Sequence, residues 1–276
     1  MDNQITNGQA LWWAIEKFKG NHFESAQIDA EVLLCRVLGI TREVLYMTSE
    51  NELEEEKYFL FEKLVAQRLM RIPIAYLLQE KYFFGLKFVV NENVLIPRPD
   101  TEELVISTLE QINNIASDKN EINILEIGTG SGAVIISLAK ALEKTKLKNR
   151  VNFFASDKSS LALDVAKINI ERHNLTGKII LYNSDLLKEI PDNIKFEIIV
   201  ANLPYLDSTK IEEYSPEIKY EPRLALFADE NGKKIYFDLF AEIKAKKLKP
   251  IVIVECSQDL EKELKIACED LITIGV

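Results

Sequence analysis

The spacing of apolar positions divides the chain into stretches of different period. Up to about residue 77 the period is helical. Ala10, Leu11, Ala14, Ile15 and Phe18 share one face of a 3.6-residue repeat, which Gly20 ends. A second helix is predicted from near Ser25 through Leu33, Leu34 and Leu38 to Gly39. Thr41 is placed to cap a short helix containing Glu43 and Val44. A longer helix is predicted from about Glu52 to Met70, carrying Phe59, Leu60, Lys63, Leu64, Gln67 and Arg68, and Pro73 stops it. Helices joined by short loops predict a small bundle.

From Lys81 the period shortens. Tyr82 to Phe84 and Leu86 to Val90 read as two strands around a turn at Gly85, and a second turn, Asn91 to Asn93, leads into Val94 to Ile96. This stretch reads as a β-hairpin linker. Beyond Pro97 helices and short apolar strands alternate. Strands are expected at 122–127, 151–156, 179–182, 196–201 and 250–255, with helices at 133–142, 160–173 and 232–247. That alternation predicts a parallel sheet with helices on both faces. The domain division that follows is 1–78 helical, 79–96 hairpin linker and 97–276 α/β.

Chemistry gathers at the predicted strand ends. Glu126, Ile127, Gly128, Thr129, Gly130, Ser131 and Gly132 lie between a strand and a helix, where glycines allow a sharp turn and close approach of a ligand. Read as Gly-x-Gly-x-x-Ala, the same loop also fits a dinucleotide fingerprint. Glu126 ends the first strand, where it can face an amino group. Asp157 ends the second, where a carboxylate can accept two ribose hydroxyls. Asp185 follows the third, within reach of an adenine amine. Each acid alone could equally cap a helix. Together they suit a ligand with an amino group, a ribose and an adenine, which is S-adenosylmethionine, and the pattern looks like a class I methyltransferase.

The fourth strand runs into Asn202, Leu203, Pro204 and Tyr205. A strand-ending turn explains Asn and Pro. A chemical reading is more specific. An amide or aromatic amine has a delocalised lone pair and two N–H donors. The Asn202 side-chain oxygen and the Leu203 carbonyl can accept one each, turning the lone pair toward an electrophilic methyl. Tyr205 offers an aromatic wall. The motif suggests N-methylation of a planar amine or amide.

The chain resembles the peptide-chain release factor glutamine N5-methyltransferases. The resemblance runs from the helical N-terminus to about Glu255. It rests on Pro73 to Tyr76, Tyr82 to Gly85, Val94 to Glu102, Leu125 to Gly132, Asn202 to Tyr205 and Tyr220 to Leu226. Its most specific segments are Ile-Pro-Arg-Pro at 96–99 and Glu-Pro-Arg-Leu-Ala-Leu at 221–226. The resemblance implies an α/β fold, a class I Rossmann-like methyltransferase sheet behind a helical bundle and a β-hairpin linker. It implies S-adenosylmethionine as cofactor and, as protein substrate, class I release factors methylated at the glutamine of a Gly-Gly-Gln loop and held partly by the helical domain. Gly128, Thr129, Gly130, Ser131 and Gly132 would cradle the methionine part and Asp157 the ribose. Asp185 and Leu186 would flank the adenine. Asn202 would touch cofactor and substrate, and Asn202, Leu203, Pro204 and Tyr205 would hold the glutamine. Structural ion pairs are expected for Arg98 and Arg223.

This sequence departs from the family in places. Leu203 replaces a proline, which removes a fixed φ. Asn-Leu-Pro-Tyr also looks like the motif of ribosomal-RNA adenine dimethyltransferases, so an adenine N6-methyltransferase acting on RNA or DNA is the alternative. Paired glycines are absent after Leu226, where Ala228 to Gly232 stand. Gln79 occupies a frequent glycine position, and the stretch Glu255 to Gln258 is shorter than usual. Leu271 to Val276 can supply a sixth strand. Relative to the family the C-terminus is expected to be short by about 15 residues, leaving no last antiparallel strand and an exposed edge.

Composition narrows the field. The 276 residues are 47% hydrophobic and 28% charged, which excludes a disordered or collagen-like chain. Net charge is −10, with 8 arginines against 26 lysines, so no direct nucleic-acid partner is expected, and Lys144 to Arg150 reads as a solvated loop. Three distant cysteines argue against a disulfide framework, and two histidines, His22 and His173, read as surface residues rather than metal ligands. No apolar run approaches a membrane span and the first residues form no signal peptide, so a cytoplasmic protein without a membrane partner is expected.

Overall fold

The computed structural model describes residues 5–227, 233–256, 258–267 and 273–275. The stretch Ala228 to Gly232, and Leu271, Ile272 and Val276 of the expected sixth strand, lie outside the described residues. The chain divides into two compact units, residues 1–79 and 80–276.

The first unit is helical: α1 (Asn7–Gly20), α2 (Ala26–Leu38), α3 (Arg42–Met47), α4 (Glu55–Leu69) and α5 (Ile74–Leu78). Thr6 and Gln9 form a reciprocal capping box on α1, and the Thr41 hydroxyl caps α3. Gly39 ends α2 in the left-handed region. Ala10, Ala14 and Phe18 of α1 pack with Leu33 and Leu34 of α2 and with Phe61 and Val65 of α4. A buried ion pair, Arg68 Nε to Asp29 Oδ2 at 2.7 Å, joins α4 to α2. The structure adds detail to the expected long helix. The buried face of α4 carries Phe61, Val65 and Arg68, whereas Phe59 and Leu60 face outward. The helix also ends at Leu69, and Pro73 opens α5, a helix not predicted from the sequence. Gln79 closes α5 at φ +56, the left-handed conformation that glycine adopts without strain.

The second unit opens with the hairpin β1 (Glu80–Phe83) and β2 (Leu86–Val89), paired Glu80 to Val89 through Phe83 to Leu86. Phe84 and Gly85 both have positive φ, the tight turn that matches strand twist. Phe83 and Phe88 are buried in the same core as Ile122 and Ile124. The run Val94 to Ile96 is not a strand. Instead the Ile96 N–H bonds to the Glu221 carboxylate at 3.0 Å.

The helix α6 (Glu102–Ile115) leads into the sheet. Its strands are β3 (Ile122–Ile127), β4 (Val151–Asp157), β5 (Ile179–Asn183), β6 (Ile198–Asn202), β7 (Ile251–Glu255) and β8 (Thr273–Gly275), and the connecting helices include α7 (Ala133–Leu142) and α8 (Ser160–Arg172). The strand order is β5-β4-β3-β6-β7-β8, and every neighbouring pair among these described strands is parallel. Ile and Val dominate strands buried on both sides, as a helix-covered parallel sheet requires. One face packs beneath α6, α7 and α8. The other packs beneath α10 (Lys233–Ala245) and α11 (Gln258–Ala267). The four-residue α9 (Arg223–Leu226) and α11 were not predicted. The chain leaves β3 in one direction for β4 and β5, then returns to the other side of β3 for β6. The carboxyl ends of β3 and β6 therefore border the reversal of strand order, where open α/β sheets hold ligands.

Candidate active site

A cleft of about 130 Å³ opens at that reversal. The loop after β3 forms one wall. Gly128 has φ +74, and a Cβ there would lie 3.1 Å from Leu203 Cδ2, so the two loops meet through the missing side chain. Gly130 has φ +54, and an added Cβ would meet no protein atom within 4 Å, so this residue borders open space. Its N–H bonds to Asp157 Oδ2 at 2.8 Å, and the Ser159 N–H bonds to Oδ1 at 2.9 Å. Each carboxylate oxygen can accept one bond more. Burial raises the Asp157 pKa against the pull of those backbone donors.

Asp185 and Leu186 form the far side. Asp185 pairs with Lys188 at 2.6 Å and with Lys158 at 3.4 Å, and these cations, Lys188 foremost, hold its carboxyl below the usual range. The loop after β6 completes the cleft with Asn202, Leu203 and Pro204.

Glu126, Thr129, Ser131, Gly132 and Tyr205 do not line this cleft. Glu126 is buried and braces the glycine loop: its Oε2 accepts the Thr129 hydroxyl at 2.6 Å and the Ile135 N–H at 3.1 Å. Burial pushes its carboxyl up to about 8, and the charge of Asp157 adds to the rise. The Ser131 carbonyl accepts from Asn169 Nδ2 at 2.8 Å, and the same Asn169 amide exchanges two bonds with the Val89 backbone, tying the loop to the hairpin. Gly132 opens α7 against Ala166.

Around Asn202 the structure assembles residues that the motif did not announce. Asn202 Nδ2 donates to Glu255 Oε2 at 2.8 Å and to Thr101 Oγ1 at 3.2 Å. The Tyr205 hydroxyl donates to Glu255 Oε1 at 3.2 Å. Tyr205 is pushed up to about 12 by burial and then by the Glu255 charge. Asn202 and Glu255 are register partners at the last positions of β6 and β7. Tyr236 stands behind both. Its hydroxyl accepts the Leu203 N–H at 3.1 Å and donates to the Glu255 carbonyl at 2.5 Å. A proline at 203 has no N–H to offer, so the expected loss of loop rigidity is met by a bond that only a non-proline residue can make. The hydroxyl has one proton, committed to the shorter bond. The Leu203 carbonyl, 3.1 Å away, therefore keeps its acceptor capacity. Glu255 was findable by the same rule that selected Glu126 and Asp157, an acid closing an apolar strand. Tyr236 has no such signal.

The two most family-specific segments meet at the cleft. Arg98 forms an ion pair with buried Glu221. Val94 and Leu95 on one side of this clasp, and Pro222 and Leu224 on the other, line the cleft. Arg223 lies over the Phe227 ring at 5.2 Å rather than in an ion pair among the described contacts. His173 is half-buried at the end of α8, with a ring nitrogen 3.0 Å from the Lys87 carbonyl, and His22 is exposed. Among the described residues no cluster of His, Cys, Asp and Glu could hold a metal, and no helix is long and apolar enough to cross a membrane.

Residues 9–78 match the PrmC N-terminal domain, and residues 103–255 match the N-6 DNA Methylase family. The chain is 36% identical over 235 residues to the release factor glutamine methyltransferase of Rhodopirellula baltica, spanning 85% of this chain and 77% of that one. It is 33% identical to the release factor glutamine methyltransferase of Shewanella oneidensis, spanning 100% of this chain and 91% of that one. It is also 36% identical to the bifunctional methyltransferase of Rickettsia conorii, spanning 90% of this chain but 50% of that protein.

Proposed function

The chain belongs to the release factor glutamine methyltransferase family, and from that premise we propose that it methylates the side-chain amide nitrogen of a release-factor glutamine. The glutamine is that of the Gly-Gly-Gln loop, and the methyl donor is S-adenosylmethionine. One arrangement carries the reading: Asn202 and Leu203 stand on the same cleft as Gly128, Gly130 and Asp157.

The residues of the cleft fit the donor. Gly130 leaves space where a side chain would stand, and the Asp157 carboxylate keeps acceptor positions for two hydroxyls. Ile127 and Leu186 supply apolar surface for a planar base, with Asp185 at its edge. When bound, S-adenosylmethionine supplies an electrophilic methyl on a sulfonium.

The chain's own task is to present the acceptor. The Asn202 Oδ1 takes one amide N–H and the Leu203 carbonyl takes the other, which fixes the nitrogen and aims its lone pair. Pro204 stiffens the loop that carries both acceptors. No strong general base is needed, because the amide proton becomes acidic as nitrogen is alkylated. The helical unit, with its match over residues 9–78, takes the role of holding the release factor.

The test is methyl transfer from labelled S-adenosylmethionine with three acceptors: purified release factor, the same factor with its Gly-Gly-Gln glutamine replaced, and ribosomal RNA. Label on the intact factor alone is expected, and the Asn202→Ala variant is expected to lose it while still binding cofactor. Label on RNA and none on the factor would establish the adenine chemistry instead.

A further inference from the structure

Asn202 contributes to the proposed clamp only if its amide oxygen, and not its amino group, faces the acceptor. Nothing in the side chain itself sets this, since the two ends of a carboxamide have nearly the same shape. The neighbours set it. Both Nδ2 protons are taken, one by Glu255 Oε2 at 2.8 Å and one by Thr101 Oγ1 at 3.2 Å. Among the described residues, the side-chain oxygens of Glu255 are in turn approached by donors: Asn202, the Tyr205 hydroxyl and the Thr101 hydroxyl. An ionised carboxylate accepts and cannot donate, so a flipped Asn202 would set oxygen against oxygen. Tyr236 fixes the Glu255 backbone to the Leu203 amide, so the carboxylate and the clamp move as one piece.

We infer that Glu255 is a positioning residue of the transfer site, whose carboxylate locks the Asn202 amide with its oxygen toward the acceptor nitrogen. This deepens the release-factor reading and rests on it. The role requires the ionised form. Burial and the charge of Asp100 raise the Glu255 pKa, while the Thr101, Tyr205 and Asn202 bonds lower it. Among the described residues, the other ionisable groups around it are Cys256, Tyr205 and Tyr236; both tyrosines are raised above the ordinary value, with Arg98 acting on Tyr205 in the opposite sense. Activity is therefore expected to fall as pH is lowered and Glu255 takes up a proton and becomes a donor.

Glu255→Gln keeps the shape and removes the acceptor-only character. Its kcat for release-factor methylation is expected to drop by about 100-fold, on the scale of losing one transition-state hydrogen bond, with cofactor affinity unchanged and the acid limb of the kcat profile abolished. Adding Asn202→Asp to that variant is expected to restore a part of kcat, because residue 202 is then acceptor-only and the new amide at position 255 can donate to it. A second measurement needs no acceptor. In ¹⁵N spectra the Asn202 side-chain amide of the unaltered chain is expected to titrate with Glu255, and in Glu255→Gln that titration is expected to vanish. Unchanged kcat in Glu255→Gln, or equal loss of cofactor binding and kcat, would overturn the positioning role, as would an Asn202 amide insensitive to pH. Failure of the unaltered chain to label the release factor would count against the release-factor reading instead, and the spectra would still decide the role of Glu255.

Discussion

A buried carboxylate behind the glycine loop sets a pH dependence that is open to measurement. Glu126 keeps its proton up to about 8 in the fold, whereas an unfolded glutamate ionises near 4.5. Between those values the folded chain binds more protons than the unfolded one, so this group lowers stability as pH rises. The penalty is absent below the unfolded pKa and complete above the folded one. Glu126→Gln keeps the bonds from Thr129 and Ile135 without the charge. Its stability advantage over the unaltered chain, from urea denaturation, is expected to widen from about pH 5 to about pH 8 by roughly 1 kcal/mol per pH unit, then level off. A gap independent of pH would mean that Glu126 is ionised in the fold. At this scale the sequence disclosed what a strand end discloses by itself: Gly130 and Asp157 stand where an apolar run meets a polar turn. It did not disclose the bracing role of Glu126 or the partners of Asn202. Thr101 and Glu255, which bond Asn202, and Tyr236, which bonds the Leu203 N–H, lie far from this loop in sequence and reach it only through strand register and helix packing.

At the scale of elements, short runs dominated by Ile, Val and Leu, such as Ile122–Ile127 and Ile251–Glu255, were legible because a strand covered on both faces is rich in such residues. Runs with more than one solution were not. Tyr58 to Phe61 places four large side chains around the whole of α4, and packing, not periodicity, decides that Phe61 is inside and Phe59 outside. Val94 to Ile96 looks like a strand, but the Ile96 N–H is satisfied by the Glu221 side chain instead of a neighbouring strand. That bond and the Arg98 pair join the 94–98 segment to the 221–226 segment, and both line the cleft. Arg98→Ala leaves the buried Glu221 carboxylate with a backbone donor alone. It is expected to destabilise the second unit by about 1–3 kcal/mol and to weaken cofactor binding. Urea unfolding and calorimetry check both, and an unchanged midpoint with unchanged affinity would reduce the clasp to an incidental surface contact.

For the whole molecule, the period of apolar positions changes near residue 80, and the structure separates the chain after Gln79 with the hairpin in the second unit. Pro222, Leu224 and Ala225 of the 221–226 segment, and Val94 and Leu95 next to the 96–99 segment, line the same cleft as the Asn202 loop. The most direct test of the activity locates the methyl group. Release factor incubated with the chain and S-adenosylmethionine is digested and sequenced by mass spectrometry. One added methyl on the side chain of the Gly-Gly-Gln glutamine, absent when Asn202 is replaced by alanine, is the expected result. A methyl on any other residue, or none while the chain binds its cofactor, would contradict the assignment.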